Sequence, residues 1–300
     1  MLSWILLSGN ETAQHAAAID STHAAADSLG HAAEKFEFSE LLHHVYDGRE
    51  LELPFLGHVH LPELHLLGID FSITKHVVFL WLAALLLMVG LTIIARKNSK
   101  NKIPKGFGNL IEIFILFIRD EIVVPNMGKG GLRYLPYLLT NFFFILVMNL
   151  LGLIPYGASA TGNVNVTAAL ALIAFIMIQY SAIRVQGFGH YLAHLTGGTH
   201  WGMWIIMVPI EFLGLFIKPF ALCIRLFANM TAGHIVILAL IALIFIFQNA
   251  GVGLISVPLA VAVNMLELFI ALIQAYIFTM LTSIFMGLGM QTEEHGNEHH

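Results

Sequence analysis

The sequence predicts an all-α polytopic membrane protein with five transmembrane helices, one interfacial amphipathic helix, and a last pair of helices that are long and strongly tilted. Hydrophobic residues make up 58% of the 300 and charged residues only 11%, against about 25% charged in soluble domains. The mean hydropathy is +0.81. Several apolar runs also reach the roughly 20 residues that cross about 30 Å of hydrocarbon as a helix.

Three regions follow from this pattern. Residues 1–75 form an extramembrane arm, Ala- and His-rich at first and then punctuated by Gly48, Pro54, Gly57, Pro62 and Gly68. Residues 76–290 form the membrane domain, and residues 291–300 a polar tail. The opening run of the arm lacks the basic start of a secretory signal and is left unassigned.

The first span is residues 77–95, nineteen uncharged and mostly apolar positions. Arg96, Lys97, Lys100, Lys102 and Lys105 follow it directly. By the positive-inside rule that loop is cytoplasmic, which puts the arm on the periplasmic side. Residues 107–124 are apolar but carry Asn109, Glu112, Arg119 and Asp120 within a wedge of roughly 100°, as an interfacial helix requires. Lys129 and Arg133 keep the next loop on the same side.

Residues 135–155 and 166–183 supply two more spans, with 163–167 as their outer turn. Residues 203–217 are apolar around Glu211, and Pro209 and Pro219 are expected to break or kink the chain there. The fourth span continues over 220–247, where the charged or imidazole side chains are Arg225 and His234. The fifth covers 259–288 and has Glu267 as its only charge. These two stretches would be roughly 42 and 45 Å long as helices, well over the bilayer core, so both should tilt. Five spans return the C-terminal tail to the cytoplasm.

Composition also excludes several functions. The single Cys223 permits neither a disulfide framework nor a Cys-x-x-Cys metal knuckle within the chain. A net charge of -5 without a Lys/Arg stripe argues against nucleic acid. Gly128-Lys129-Gly130-Gly131 is too short and wrongly spaced for a phosphate loop. His58, His60 and His65 are read as part of a solvated extension, and His190 with His194, like His299 with His300, lack further ligands. No cofactor and no metal site is expected.

The chemistry lies in the few polar groups of the last two helices. A mid-helix arginine costs roughly 2.5 to 3.5 kcal/mol to insert, so it persists where a partner charge or a wet cavity offsets that cost. Arg225 could instead snorkel, as Lys218 could, but Asn229 one turn deeper and His234 beyond it extend the polar track. Arg225 and Asn229 share a face, whereas His234 lies half a turn out of phase with Arg225. On the last helix Glu267 and Gln274 coincide to within about 20°, with Asn264 on the flank. A buried carboxylate and an imidazole can both titrate near neutrality. His234 is therefore expected to face Glu267 and pass protons with it, the alternative being a satisfied packing role.

Lys218-Pro219, the run Arg225-Leu226-Phe227-Ala228-Asn229-Met230-Thr231-Ala232-Gly233-His234, and Glu267 with Gln274-Ala275-Tyr276-Ile277-Phe278 resemble the signature of subunit a of F-type ATP synthases. The likeness extends over most of residues 75–290 and includes Met148-Asn149-Leu150-Leu151-Gly152-Leu153-Ile154-Pro155. The resemblance implies two offset aqueous half-channels joined only through carboxylates of a rotating c-ring. Arg225 would face that ring, with Asn229 and Gln274 bonding and orienting it. His234 and Glu267 would line one half-channel and Glu211 the wall of a half-channel. Gly152 and Gly157 stand where some members carry acids, so the outer inlet does not transfer residue by residue.

The expected function is thus that of a proton-translocating stator subunit, not an enzyme by itself. Its partners would be the c-ring, peripheral-stalk b subunits, other F0 and F1 subunits, lipid and protons. A bacterial inner membrane is the expected location, a mitochondrial inner membrane the alternative. The rival function is a self-contained proton- or sodium-coupled transporter, which inverted repeats with broken helices would favour.

Overall fold

The computed structural model describes residues 50–53, 57–60, 65–66, 69–70, 74–100, 106–154, 159–189, 191, 204–247 and 250–290. The helices are α1 (Lys75–Lys100), α2 (Phe107–Phe117), α3 (Val124–Met127), α4 (Leu135–Gly152), α5 (Val164–Gln186), α6 (Trp204–Phe247) and α7 (Ala250–Met290). Among the described residues five of these, α1, α4, α5, α6 and α7, are long and apolar enough to cross a membrane. The membrane domain is therefore all-helical.

The arm holds two small antiparallel hairpins that the hydropathy pattern does not disclose. β1 (Glu50–Leu53) pairs with β2 (Gly57–His60), Leu51 opposite Val59, and β3 (His65–Leu66) pairs with β4 (Ile69–Asp70). The side chains of His58, His60 and His65, together with His190, His194 and the tail 291–300, lie outside the described residues.

Several boundaries differ from expectation, among them the outer turn expected at 163–167, where α5 already begins at Val164. α6 runs unbroken for 44 residues through both Pro209 and Pro219. Each proline withholds one N–H from the ladder, but a break would strand several more peptide groups in an apolar setting, which is worse. α7 begins at Ala250 rather than near 259 and contains Pro258. A Cβ at Gly253 would meet Ile244 at 3.7 Å, so the two helices already pack at their junction. At 1.5 Å per residue they measure about 66 and 62 Å. The second span ends at Gly152, short of Pro155. There Ser159 lies so close that a Cβ on Gly152 would fall 2.9 Å from its Cα. Asn163 then caps α5, its side chain accepting from the Asn165 N–H at 2.8 Å.

The core gathers around the C-terminal half of α7. Ala271, Ala275, Phe278 and Met286 are fully buried there, enclosed by α4, α5, α6 and α3. Small residues permit the close approach. A Cβ on Gly287 would strike the Asn126 carbonyl, and one on Gly289 would lie 2.9 Å from Ala182 Cβ. Between α2 and α3 the chain widens into a π-helical turn, Ile118–Val123, which disturbs the regular ladder. The Ile122 carbonyl accepts from Asn126 Nδ2 at 2.7 Å and from Ser283 Oγ of α7 at 3.3 Å.

That turn sorts its residues as an interfacial helix should. Ile118, Ile122 and Val123 are buried, whereas Arg119 and Asp120 are exposed and paired, Nε to Oδ1 at 2.7 Å. The hydrogen bond from Arg119 holds the Asp120 carboxyl below its usual range. A pair this open to solvent contributes little to stability.

Candidate functional site

α6 and α7 lie antiparallel and join through two polar rungs. Asn229 Nδ2 donates to Gln274 Oε1 at 2.7 Å. One and a half turns further along α6, His234 Nδ1 lies 2.7 Å from Glu267 Oε1. Antiparallel packing sets the matching spacing, five residues apart on one helix and seven on the other. Glu267 is 2% exposed and Gln274 likewise, while the His234 side chain keeps 24% of its surface. The rung therefore has a buried acid and an imidazole that still reaches outward. Glu267 Oε2 and Gln274 Nε2 are buried without a hydrogen-bond partner, so neither rung is saturated.

Gly233 makes the second rung possible. A Cβ at that position would fall 2.6 Å from Glu267 Oε1.

Arg225 belongs to neither rung. It is exposed, as are Ala221, Ala228 and Ala232 at helical spacing around it, and it makes no hydrogen bond or ion pair with another described residue. Asn229 and Gln274 thus bond each other and not the guanidinium that the resemblance has them orient. The arginine stands on an alanine-lined face of α6, where a neighbouring helix can approach closely. Lys218, by contrast, packs its ammonium over the Phe285 ring at 5.1 Å.

Glu211 is half-buried about 21 Å before Arg225 along α6. It is not brought to the rungs. Its charge acts instead on Tyr191, whose hydroxyl donates to Gln179 Oε1 at 2.7 Å. Burial, and then the Glu211 carboxylate, raise the pKa of that tyrosine.

Sequence reading missed a third polar feature, a buried chain of His76, Ser159, Thr161 and Asn149 that ends on the Ala271 carbonyl. Asn149 lay inside a quoted motif, but hydroxyls in a loop carry no signal of their own. Tyr191 and Gln179 escaped notice for the same reason. A cavity of about 440 Å³ between α1, α2 and α4 includes Asn98, Glu112 and Thr140 in its wall; none of the polar groups above lines it. No group of three or more metal-ligating side chains occurs among the described residues.

The sequence of this chain matches the family described as ATP synthase A chain over residues 77–287. It is 53% identical over 264 residues to ATP synthase subunit a of Chloroherpeton thalassium, covering 87% of this chain and 79% of the relative. To ATP synthase subunit a 2 of Chlorobaculum tepidum it is 54% identical over 254 residues, 83% of this chain and 72% of the relative. The likeness to ATP synthase subunit a of Anaeromyxobacter dehalogenans is 48% over 302 residues, covering 95% of this chain and 78% of the relative. With the matched region spanning α1 to α7 and both polar rungs, the chain belongs to the ATP synthase A chain family as a multi-pass membrane protein.

Proposed function

We propose that this chain is the proton-translocating stator subunit of the membrane sector of a rotary ATP synthase, with two aqueous half-channels that load and unload the carboxylates of a c-ring. The observation that carries the reading is Arg225, exposed and unpartnered among the described residues midway along an apolar helix. A bare guanidinium facing lipid is unfavourable by several kcal/mol. A carboxylate presented by a neighbouring subunit removes that penalty, and the alanine face around Arg225 suits its approach.

The arrangement supports a divided path. Glu211 lies about 21 Å to one side of Arg225 and His234 about 13 Å to the other, so titratable groups flank the arginine but do not bypass it. Arg225 has donors only and stays protonated, so it cannot relay a proton between them. It favours ionisation of each arriving carboxylate, which must turn with its ring to be reloaded. His234 and Glu267, in contact at 2.7 Å, are close enough to pass a proton directly and serve the outer half-channel. Glu211, beside Tyr191 and Gln179, serves the cytoplasmic one. Protons that drive rotation each deliver about 2.3 kcal/mol per 100 mV, so several are needed per ATP.

In this orientation the arm is periplasmic, the tail cytoplasmic, and α6 and α7 tilt to fit the bilayer. Partners are the c-ring, peripheral-stalk b subunits and the remaining F0 and F1 subunits, which carry the nucleotide chemistry. A self-contained transporter is the rival. Unbroken α6 and α7 disfavour the midplane breaks on which such transporters rely. Proton flux into vesicles holding this chain with and without c subunits decides between them. Flux only when both are present is expected, and flux through this chain alone overturns the proposal.

A further inference from the structure

The cavity of about 440 Å³ between α1, α2 and α4 has no part in the two rungs, and its wall is amphipathic. Leu91 and Ile94 of α1, Ile111 and Ile115 of α2, and Leu139 and Phe143 of α4 make most of it apolar. Its polar members are Asn98, Glu112 and Thr140. The start of α1 meets Ser159, beyond the end of α4, so the two helices run antiparallel. Asn98 in the last turn of α1 and Thr140 in the second turn of α4 therefore lie at one end of the pair, the end at which Arg96 and Lys97 are exposed.

Each polar member of the wall has an acceptor to offer. The Thr140 hydroxyl spends its hydrogen on the Pro136 carbonyl at 2.8 Å, which leaves its oxygen free to accept. Glu112 and Asn98 are half-buried and make no hydrogen bond or ion pair with another described residue. Gly108 makes room for the amide: a Cβ there would fall 2.7 Å from Asn98 Oδ1. On α2 the acid sits inward while Leu110, Ile113, Leu116 and Phe117 are exposed. An acid withdrawn from water beside the hydrocarbon calls for a partner.

We propose that this cavity binds a phospholipid with a primary ammonium headgroup, of the phosphatidylethanolamine kind. A primary ammonium brings three N–H donors to the three acceptors, and Glu112 supplies the opposite charge. Arg96 and Lys97 offer cations to the phosphate at the same end, and an acyl chain follows the apolar wall. A choline headgroup has no N–H to give. A headgroup without an amine leaves Glu112 unpaired.

The dimensions agree with a lipid. Ligand pockets run roughly 300 to 1,000 Å³ and are mostly apolar with a few placed polar groups. Spread over the ~10 Å from Leu91 to Asn98, this cavity is a slot about 7 Å wide, which admits a hydrocarbon chain but not a helix about 10 to 12 Å across. Ala95 and Thr140 of its wall are exposed, so the slot is open to an entering chain. The inference needs only that the chain spans a membrane, and it does not rest on the proton path proposed above.

The test is native mass spectrometry of the whole complex, equilibrated in bilayers with equal amounts of phosphatidylethanolamine, phosphatidylcholine and phosphatidylglycerol and then released in mild detergent. The wild-type complex should retain phosphatidylethanolamine at severalfold its share of the bulk lipid. E112Q keeps the shape of the side chain without its charge, and should retain at least one such molecule fewer per copy of this chain. An unchanged count in E112Q would overturn the proposal. Equal retention of the ethanolamine and choline lipids by the wild type would overturn it whether or not the variant assembles. A photoreactive side chain in place of Ala95 should crosslink to lipid, and a crosslink to another polypeptide instead would show that protein fills the slot and overturn it as well.

Discussion

Gly233 leaves the space that the Glu267 carboxylate fills: a methyl group on its Cα would lie 2.6 Å from Oε1 and 2.7 Å from Cδ. The glycine of α6 and the acid of α7 therefore form one unit with His234.

Gly233→Ala should push the carboxylate off the imidazole without unfolding the chain, because the Glu267 side chain can rotate where backbone could not. Proton conduction should fall about tenfold, the effect of roughly 1.4 kcal/mol on a rate-limiting transfer. The check is conduction per assembled complex beside wild type, and an unchanged rate would show that the 2.7 Å contact is dispensable.

Exchanging His234 and Glu267 should be milder than losing either one, since the double swap keeps an acid and an imidazole in contact across the same rung. A double-mutant cycle on ATP-driven pumping measures this. If the swap is as inactive as the worse single change, direct transfer within the pair is wrong.

Asn229→Leu leaves Gln274 Oε1 without its partner in a position that is 2% exposed. Such an orphan costs about 1 to 3 kcal/mol, so the purified complex should dissociate at a lower temperature. Adding Gln274→Leu removes the stranded amide and should restore part of that loss. A double variant less stable than Asn229→Leu alone would contradict the rung's structural account.

How much of this was legible in the sequence depends on the range of the interaction. The spans were, because hydropathy is a property of consecutive residues. Arg225, Asn229, Glu267 and Gln274 were noticeable because each interrupts an apolar run, and the antiparallel pairing of two long runs made contact between His234 and Glu267 a natural expectation. The passage of α6 through Pro209 and Pro219 was not, since local preference opposes it and only the surroundings reverse the balance. The π-helical turn at 118–123 has its Ile122 carbonyl bonded by Asn126 and Ser283, the latter a contact across 161 residues. His76 and Ser159 are likewise 83 residues apart. Nothing in either local sequence announces the other.

The central claim is that a permanently charged guanidinium at position 225 meets a partner's titrating carboxylate. ATP-driven proton pumping in vesicles carrying Arg225→Ala or Arg225→Lys tests it most directly. Pumping should vanish in the alanine variant and nearly so in the lysine variant, which can release its proton and lacks the planar fork. Pumping at the wild-type rate in either, from complexes assembled in normal amount, would contradict the account.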